Sequence, residues 1–314
     1  MLVLKNWSTI WQNLIFTFVI FVAITFGKVA LSQDLEPRKW AHLPVDLNYF
    51  VTGYRYSDDD IFFDPVLRIE NAVAIKRTFA IGYIRTFEAF GKSSRFEILQ
   101  GYQKARWDGL LNGAPAERKR EGLTDTVLRF STYLLGASPL SAEKFAKFRV
   151  SKSIDTIVGL GLLLKLPTGQ YDETKLLNIG GNRFVVRPQL GFLHRNGPWS
   201  FESTVQAAFF TENDAFFNGN RLEQDPFYSI EGYATYSWQN GMWASVGAGY
   251  GEGGRTTING IKNNDLRRQD GWSATVGYRL TQSTSIKTTF IQTRTRAEIG
   301  EDKRILTISL STHW

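Results

Sequence analysis

From about residue 46 to the last residue, apolar and polar positions alternate in runs of about 10–13 residues. A period of two puts successive side chains on opposite faces of a strand. On this pattern twelve strands are predicted: 46–56, 73–90, 95–107, 123–135, 156–166, 183–195, 199–211, 226–238, 242–251, 269–280, 284–296 and 303–314. The connections after the second, sixth, eighth and tenth strands are three or four residues long and carry hairpin residues such as Asn196-Gly197 and Asn240-Gly241. Those after odd-numbered strands are mostly much longer and rich in Gly, Asn and Asp. Short turns at one end and long loops at the other describe an all-β, antiparallel, up-and-down barrel that crosses a membrane. An even strand count puts both termini on the side of the short turns, the periplasm.

Alternation says that one face is apolar but not which face is outside. The polar face carries charge and wide polar groups. Strand 183–195 sets Phe184, Val186, Leu190 and Phe192 against Arg187 and Gln189, and strand 199–211 sets Trp199, Phe201, Val205 and Phe209 against Glu202, Thr204 and Gln206. Strand 226–238 opposes Tyr228, Ile230 and Ala234 to Glu231, and strand 269–280 opposes Trp272, Val276 and Tyr278 to Arg279. Trp107, Trp199, Trp238, Trp272 and Trp314 fall at strand ends, where an indole satisfies its apolar body and its N–H together at a membrane interface. These features place the apolar face toward lipid rather than toward a soluble core. On the last strand Leu306, Ile308, Leu310 and Trp314 share that face, the pattern by which a barrel-assembly machinery recognises a terminal strand.

The first 32 residues read as an export signal. Lys5 precedes the uncharged stretch Leu14–Phe26, about 20 Å long as a helix and too short for a bilayer core of about 30 Å. Ala30-Leu31-Ser32 supplies the small-x-small cleavage site, with an uncleaved anchor as the alternative because Lys28 falls in the cleavage region, so 33–45 is expected to be a periplasmic N-terminal segment and 46–314 the barrel. The absence of Cys excludes disulfides, zinc-thiolate sites and a lipidated cysteine. A mean hydropathy of -0.22 is too polar for a bundle of membrane helices, yet ordinary for a barrel that turns half its strand residues to water. The net charge of +7 suits anionic lipopolysaccharide or an anion-friendly lumen better than nucleic acid, which an exported chain does not meet.

The residues also resemble the outer-membrane transporter family named for a role in the meta-pathway of phenol degradation. The resemblance is carried by Gln33-Asp34-Leu35-Glu36-Pro37-Arg38, Gly53-Tyr54, Phe63-Asp64-Pro65, Asn178-Ile179-Gly180-Gly181-Asn182-Arg183, Phe210-Thr211-Glu212-Asn213-Asp214, Gln224-Asp225-Pro226 and Gly253-Gly254-Arg255-Thr256-Thr257. It implies a small barrel in the outer membrane of a Gram-negative bacterium that passes small hydrophobic or aromatic compounds. Lipid, lipopolysaccharide and a small-molecule solute are the expected partners of a monomer.

The chemistry on offer is not that of an enzyme. The three histidines, His42, His194 and His313, have no metal-pair spacing, no nucleophile elbow is present, and neither a cofactor nor a metal is expected. By parity Arg129, Arg187, Arg279 and Lys287 face the lumen, with Gln189 among them and Glu97, Glu202 and Glu231 as partners. Such charges either set ion preference or pair across a narrow lumen and fill it. Asp214, Phe216, Phe217 and Arg255 are the candidates for the outer mouth, Phe216-Phe217 folding inward to meet an apolar solute. The acidic stretch 58–64 is expected to be a solvated loop, with a cation site as its alternative. The connection 136–153 is too long for a periplasmic turn; Ser141–Phe148 has helical residues and suggests a short helix or an inward plug. A passive channel is the reading that fits best. A closed barrel acting through its loops, and an outer-membrane hydrolase, are the alternatives.

Overall fold

The computed structural model describes residues 35–63 and 68–314. The export segment, its cleavage site, and Asp64 with Pro65 lie outside the described residues. One antiparallel sheet closes on itself. Its wall runs in chain order through β1 (Asn48–Phe62), β2 (Ile69–Ala89), β3 (Lys92–Leu111), β4 (Ala114–Leu123), β5 (Val127–Leu135), β6 (Ile154–Lys165), β7 (Val185–Asn196) and β8 (Trp199–Phe210). After β9 (Asn213–Phe216) and β10 (Asn220–Gln224) it resumes with β11 (Phe227–Ser237) and β12 (Met242–Gly253). After β13 (Thr256–Ile258) and β14 (Ile261–Lys262) it ends with β15 (Arg267–Arg279), β16 (Thr284–Thr295) and β17 (Gly300–His313). β1 pairs with β17 from Tyr49↔His313 to Phe62↔Gly300, so the sheet has no free edge. β4 and β5 share the place of one wall strand: β4 pairs with the outer half of β3 and β5 with its inner half. Counted that way, the barrel has twelve strands. The short strands β9, β10, β13 and β14 form a separate four-stranded sheet over the long-loop end.

Burial is inverted relative to a soluble barrel. Val246 is 63% exposed, Leu190 50% and Val205 51%, whereas Glu231 is 2% exposed and Thr204 fully buried. The apolar row faces outward and the polar row inward, the arrangement a bilayer requires. Trp199, Trp238 and Trp314 lie on the exposed surface at strand ends, and Trp272, also exposed, lies within β15.

Four expectations need correction. Trp107 is not an interface residue: it points into the barrel, 8% exposed, and packs against Ala74 and Ala105. The stretch 108–122 is not a loop. It is a hairpin, turned at Asn112-Gly113 with φ of 52° and 77°, the left-handed pair that a two-residue turn demands. Nor is the acidic stretch a loop. Asp58, Asp59 and Asp60 belong to β1; Asp59 is buried against Lys76 at 2.7 Å, while Asp58 and Asp60 meet Arg304 on the outer face. No group able to hold a metal ion occurs among the described residues.

The fourth correction concerns residues 35–45, which do not hang below the barrel as a separate segment. They enter its short-turn end, with Leu35 and Trp40 fully buried against inward-facing wall residues. The long connection after β5 holds helix α1 (Ala142–Ser151), which starts at the Ser141 N-cap, bears a Glu143–Lys147 pair at 2.6 Å, and turns Phe145 and Phe148 onto His42.

Candidate functional site

The wall presents its chemistry inward because every second residue must point there. Across β8 and β11 this places Glu202 and Glu231 in the lumen, and both are met by the entering segment. The Lys39 backbone N–H donates to Glu202 at 2.9 Å, and the Lys39 ammonium lies 2.5 Å from Glu231. The Tyr233 hydroxyl donates to the other Glu231 oxygen at 2.9 Å. Two buried carboxylates would be costly alone; the segment supplies a charge to one and a donor to the other. Arg95 donates to the Lys39 carbonyl, and the Tyr133 hydroxyl donates to the Ala41 carbonyl at 2.8 Å. Glu36 pairs with Lys287 on the far wall, and Arg38 stacks over Trp243 at 4.6 Å.

Trp40 is the centre of this plug. Its indole N–H donates to Thr204 at 2.9 Å, and the Arg129 guanidinium lies over its ring at 5.1 Å. The ring lies in a trough made by missing side chains. A Cβ on Gly191 would sit 1.8 Å from the indole, one on Gly159 2.6 Å and one on Gly161 3.1 Å. Gly159 and Gly191 are register partners on β6 and β7, so the trough crosses two strands. His42 follows the ring; its Nε2–H donates to the Ser138 carbonyl at 2.8 Å, and the Phe145 and Phe148 rings of α1 meet it edge-on at 4.9 and 5.6 Å. Burial, ahead of Arg149 and Lys152 nearby, holds the His42 imidazole below its ordinary value, against the pull of the Ser138 bond and Asp155.

The opposite end is covered by the loop 166–184. Leu177 and Ile179 pack on Ala74, Ala105 and Trp107 inside the barrel. The loop is tied to the break between β4 and β5. Asp125, buried in that break, accepts from the backbone N–H of Gly169 and of Gly181 at 2.9 Å each and pairs with Lys165 at 3.0 Å. Gln170 N–H donates to the Leu123 carbonyl and Leu166 N–H to that of Thr126. The regular ladder therefore breaks at 124–126, where Thr124 N–H still donates to the Gly101 carbonyl at 2.8 Å and the loop covers the break. A cleft of about 540 Å³ opens there, lined by Tyr102, Glu121, Gly122, Leu123, Thr168 and Gln170. Tyr102 and Leu123 are outward, exposed register partners, while Gly122 pairs with inward Gln103, so the cleft lies beside the break on the outer face.

Residues 44–305 match the family described as "Putative MetA-pathway of phenol degradation". The chain belongs to this family. Among solved structures, an outer membrane channel from Pseudomonas putida F1 is similar, with 18% identity, 90% of this chain and all of that chain covered, and a TM-score of 0.73. The transport unit of the autotransporter AIDA-I from Escherichia coli is similar at 11% identity and a TM-score of 0.50, with 90% and 93% covered. No curated protein matches at a significant level. In this phenol-degradation family member the fold is that of an outer-membrane barrel.

The inward charges fall into distinct neighbourhoods. Arg129 bonds Gln189 through Nε at 3.0 Å and Glu97 through Nη1 at 3.3 Å, and Gln189 continues to Gln206 at 2.6 Å. Arg187 is inward on β7, beside Leu163 of β6. Arg279 is exposed near the short-turn rim, its chain beside Gly241. A separate group near the outer end joins Lys76 to Asp59 and Glu301, and Glu301 to Lys303. Of the mouth candidates, Asp214 and Phe216 lie in β9, Phe217 in the turn to β10, and Arg255 beside β13; all four belong to the small outer sheet, not to the trough around Trp40. His194 is outward on β7 and bonds Thr156 at 2.9 Å, and His313 packs against Tyr49 with the rings tilted by 39°.

Sequence reasoning did not single out Trp40, Gly159, Gly161, Gly191 or Asp125. The available signal was glycine at inward positions of neighbouring strands, which leaves a gap that something bulky must fill.

Proposed function

We propose that the protein is an outer-membrane channel for small hydrophobic or aromatic solutes, which enter through the wall rather than along the axis. One observation carries this reading. The axis is filled from the short-turn end by residues 35–45 and covered at the other by 166–184, while the strand ladder breaks at 124–126 beside a cleft on the apolar outer surface. An apolar solute concentrated in the outer leaflet meets Tyr102 and Leu123 before it meets water. The description of the similar Pseudomonas putida structure as a channel supports the reading, and so does the family's association with phenol degradation. In this reading lipopolysaccharide surrounds the outer rim, the assembly machinery reads the Leu306–Leu310 row, and the barrel works as a monomer.

Single-channel recording on residues 33–314 refolded in a planar bilayer, beside a chain starting at residue 46, tests it. The shorter chain is expected to give discrete conductance steps, and the longer one small or intermittent steps. Silence from both, with folding shown by heat-dependent gel mobility and no uptake of a small aromatic solute by proteoliposomes, would leave the closed structural barrel as the reading.

A further inference from the structure

The inner wall just above Trp40 combines two properties that a lumen for neutral solutes has no use for together. Register places Leu99, Val127, Lys165, Val185 and Phe210 side by side across five strands. The neighbouring level holds Glu97, Arg129, Leu163 and Arg187. Leu99 points inward yet is 43% exposed, so an apolar surface lies open inside the barrel. Beside it the cations outnumber the acids. Glu97 alone serves both Arg95, at 2.8 Å, and Arg129, at 3.3 Å. Asp125 is taken up by Lys165 and two backbone N–H groups.

Two guanidinium groups on this surface carry a buried nitrogen with no partner. Arg129 is 8% exposed; Gln189 and Glu97 occupy its Nε and Nη1, and its Nη2 has none. Arg183, stacked over Phe210 at 4.7 Å and bonded through Nη2 to Gln224, has an Nη1 without a partner. A buried donor left unpaired carries a desolvation cost, larger for a charged group, and the cost is removed by an acceptor that arrives with the solute. A planar carboxylate suits a guanidinium, and a ring suits the apolar residues one level away.

We infer that this surface is a binding site for small aromatic carboxylates, the ring lying on Leu99, Val127 and Leu163 and the carboxylate accepting from Arg129. The inference names a solute class for the channel proposed above and rests on that reading for its physiological meaning, though not for its binding. It distinguishes anionic aromatic acids from the neutral aromatics that the apolar outer surface alone would admit.

Calorimetric titration of the folded chain 33–314 in detergent micelles with benzoate, and with its neutral isostere benzamide, tests it. Benzoate is expected to bind at least about tenfold more tightly than benzamide, the worth of one charge-assisted bond. Arg129→Gln is expected to reduce the preference to within about twofold. Leu99→Glu, which breaks no existing bond, is expected to abolish benzoate binding, and it serves should Arg129→Gln fail to fold. Equal binding of the two ligands, or a preference that survives both variants, overturns the site. Swelling of proteoliposomes in a small neutral sugar is read in parallel. Benzoate preference without any swelling or conductance sinks the channel and leaves the site; passage without preference does the reverse.

Discussion

A single histidine is expected to make the plug sensitive to proton concentration. His42 is buried between Ser138 and the two phenylalanine rings of α1, and its Nδ1 has no partner. Its burial favours the neutral ring, so the imidazole of the docked segment titrates below that of the undocked one. The released state then binds more protons in the interval between the two values. Docking is therefore at full strength above the ordinary histidine value, about 6.5, and weakens as pH falls from there through the lowered value. Asp155, close enough to favour the cation, works against this, and Arg149 and Lys152 work with it. Tryptic cleavage after Arg38 and Lys39 in folded protein is expected to accelerate on acidification once corrected for the enzyme's own pH profile. His42→Gln should flatten that dependence, and an unchanged slope in the variant would exclude His42 as the group responsible. Trp40 gives a prediction of another kind. Gly191→Ala puts a methyl group where the indole lies, an overpacking worth about 1–3 kcal/mol. It should dislodge the segment and raise conductance. Adding Trp40→Ala should cost little further stability and leave the pore conducting, because an indole already dislodged has no packing left to lose.

At the scale of elements, period-two alternation is legible only where a strand faces lipid on one side and a polar interior on the other. That is why the paired wall was readable, while the outer ends of β1, β3 and β4 were not. Beyond the membrane both faces meet water or loops, as Arg106, Glu117 and Lys119 do, and charge replaces alternation. Asp58 and Asp60 belong to the same regime, their carboxylates facing Arg304 across the register. Trp107 misled for a related reason: an aromatic at a strand end fits an interface, yet here the loop 166–184 supplies a core for it. The segment 35–45 showed no periodicity because its partners, Thr204, Glu202 and Tyr133, are brought together only by closure of the barrel. The loop's hold on the wall makes a prediction at this scale. Asp125→Ala deletes two backbone bonds and an ion pair to a buried carboxylate, each bond to a charged acceptor worth about 1.5–3 kcal/mol. Proteolysis at Lys175 in intact proteoliposomes should rise at least about tenfold, since the loss of one such bond already shifts the loop's opening equilibrium by that factor. Asp125→Asn, which keeps an acceptor oxygen, should fall between. Equal cleavage of all three proteins would mean that Leu177 and Ile179 hold the loop without help from Asp125.

For the molecule as a whole, the decisive property is that its apolar surface is outside, and one substitution weighs that directly. Val246 is 63% exposed on β12, paired with Ala234 and Ala274. Ala274 lies between Tyr278 and Trp272, which mark the two edges of the apolar band on β15. In water, an arginine at so exposed a position would change stability by less than about 0.5 kcal/mol. At the middle of a bilayer it costs about 2–4 kcal/mol, falling to about 0–1 near the interface. Urea titration of Val246→Arg refolded into vesicles should therefore show a loss of that size. Tyr228→Arg serves as its control. Tyr228 is also outward and exposed, but it pairs with Glu252 at the outer rim, where an arginine meets headgroups and a carboxylate. Its cost should be at most about 1 kcal/mol. A soluble barrel predicts no difference between the two sites, and an inward-facing apolar core predicts a large loss at both. Only a barrel with lipid around it makes the penalty follow depth, so the contrast between these two positions on neighbouring strands measures the membrane itself.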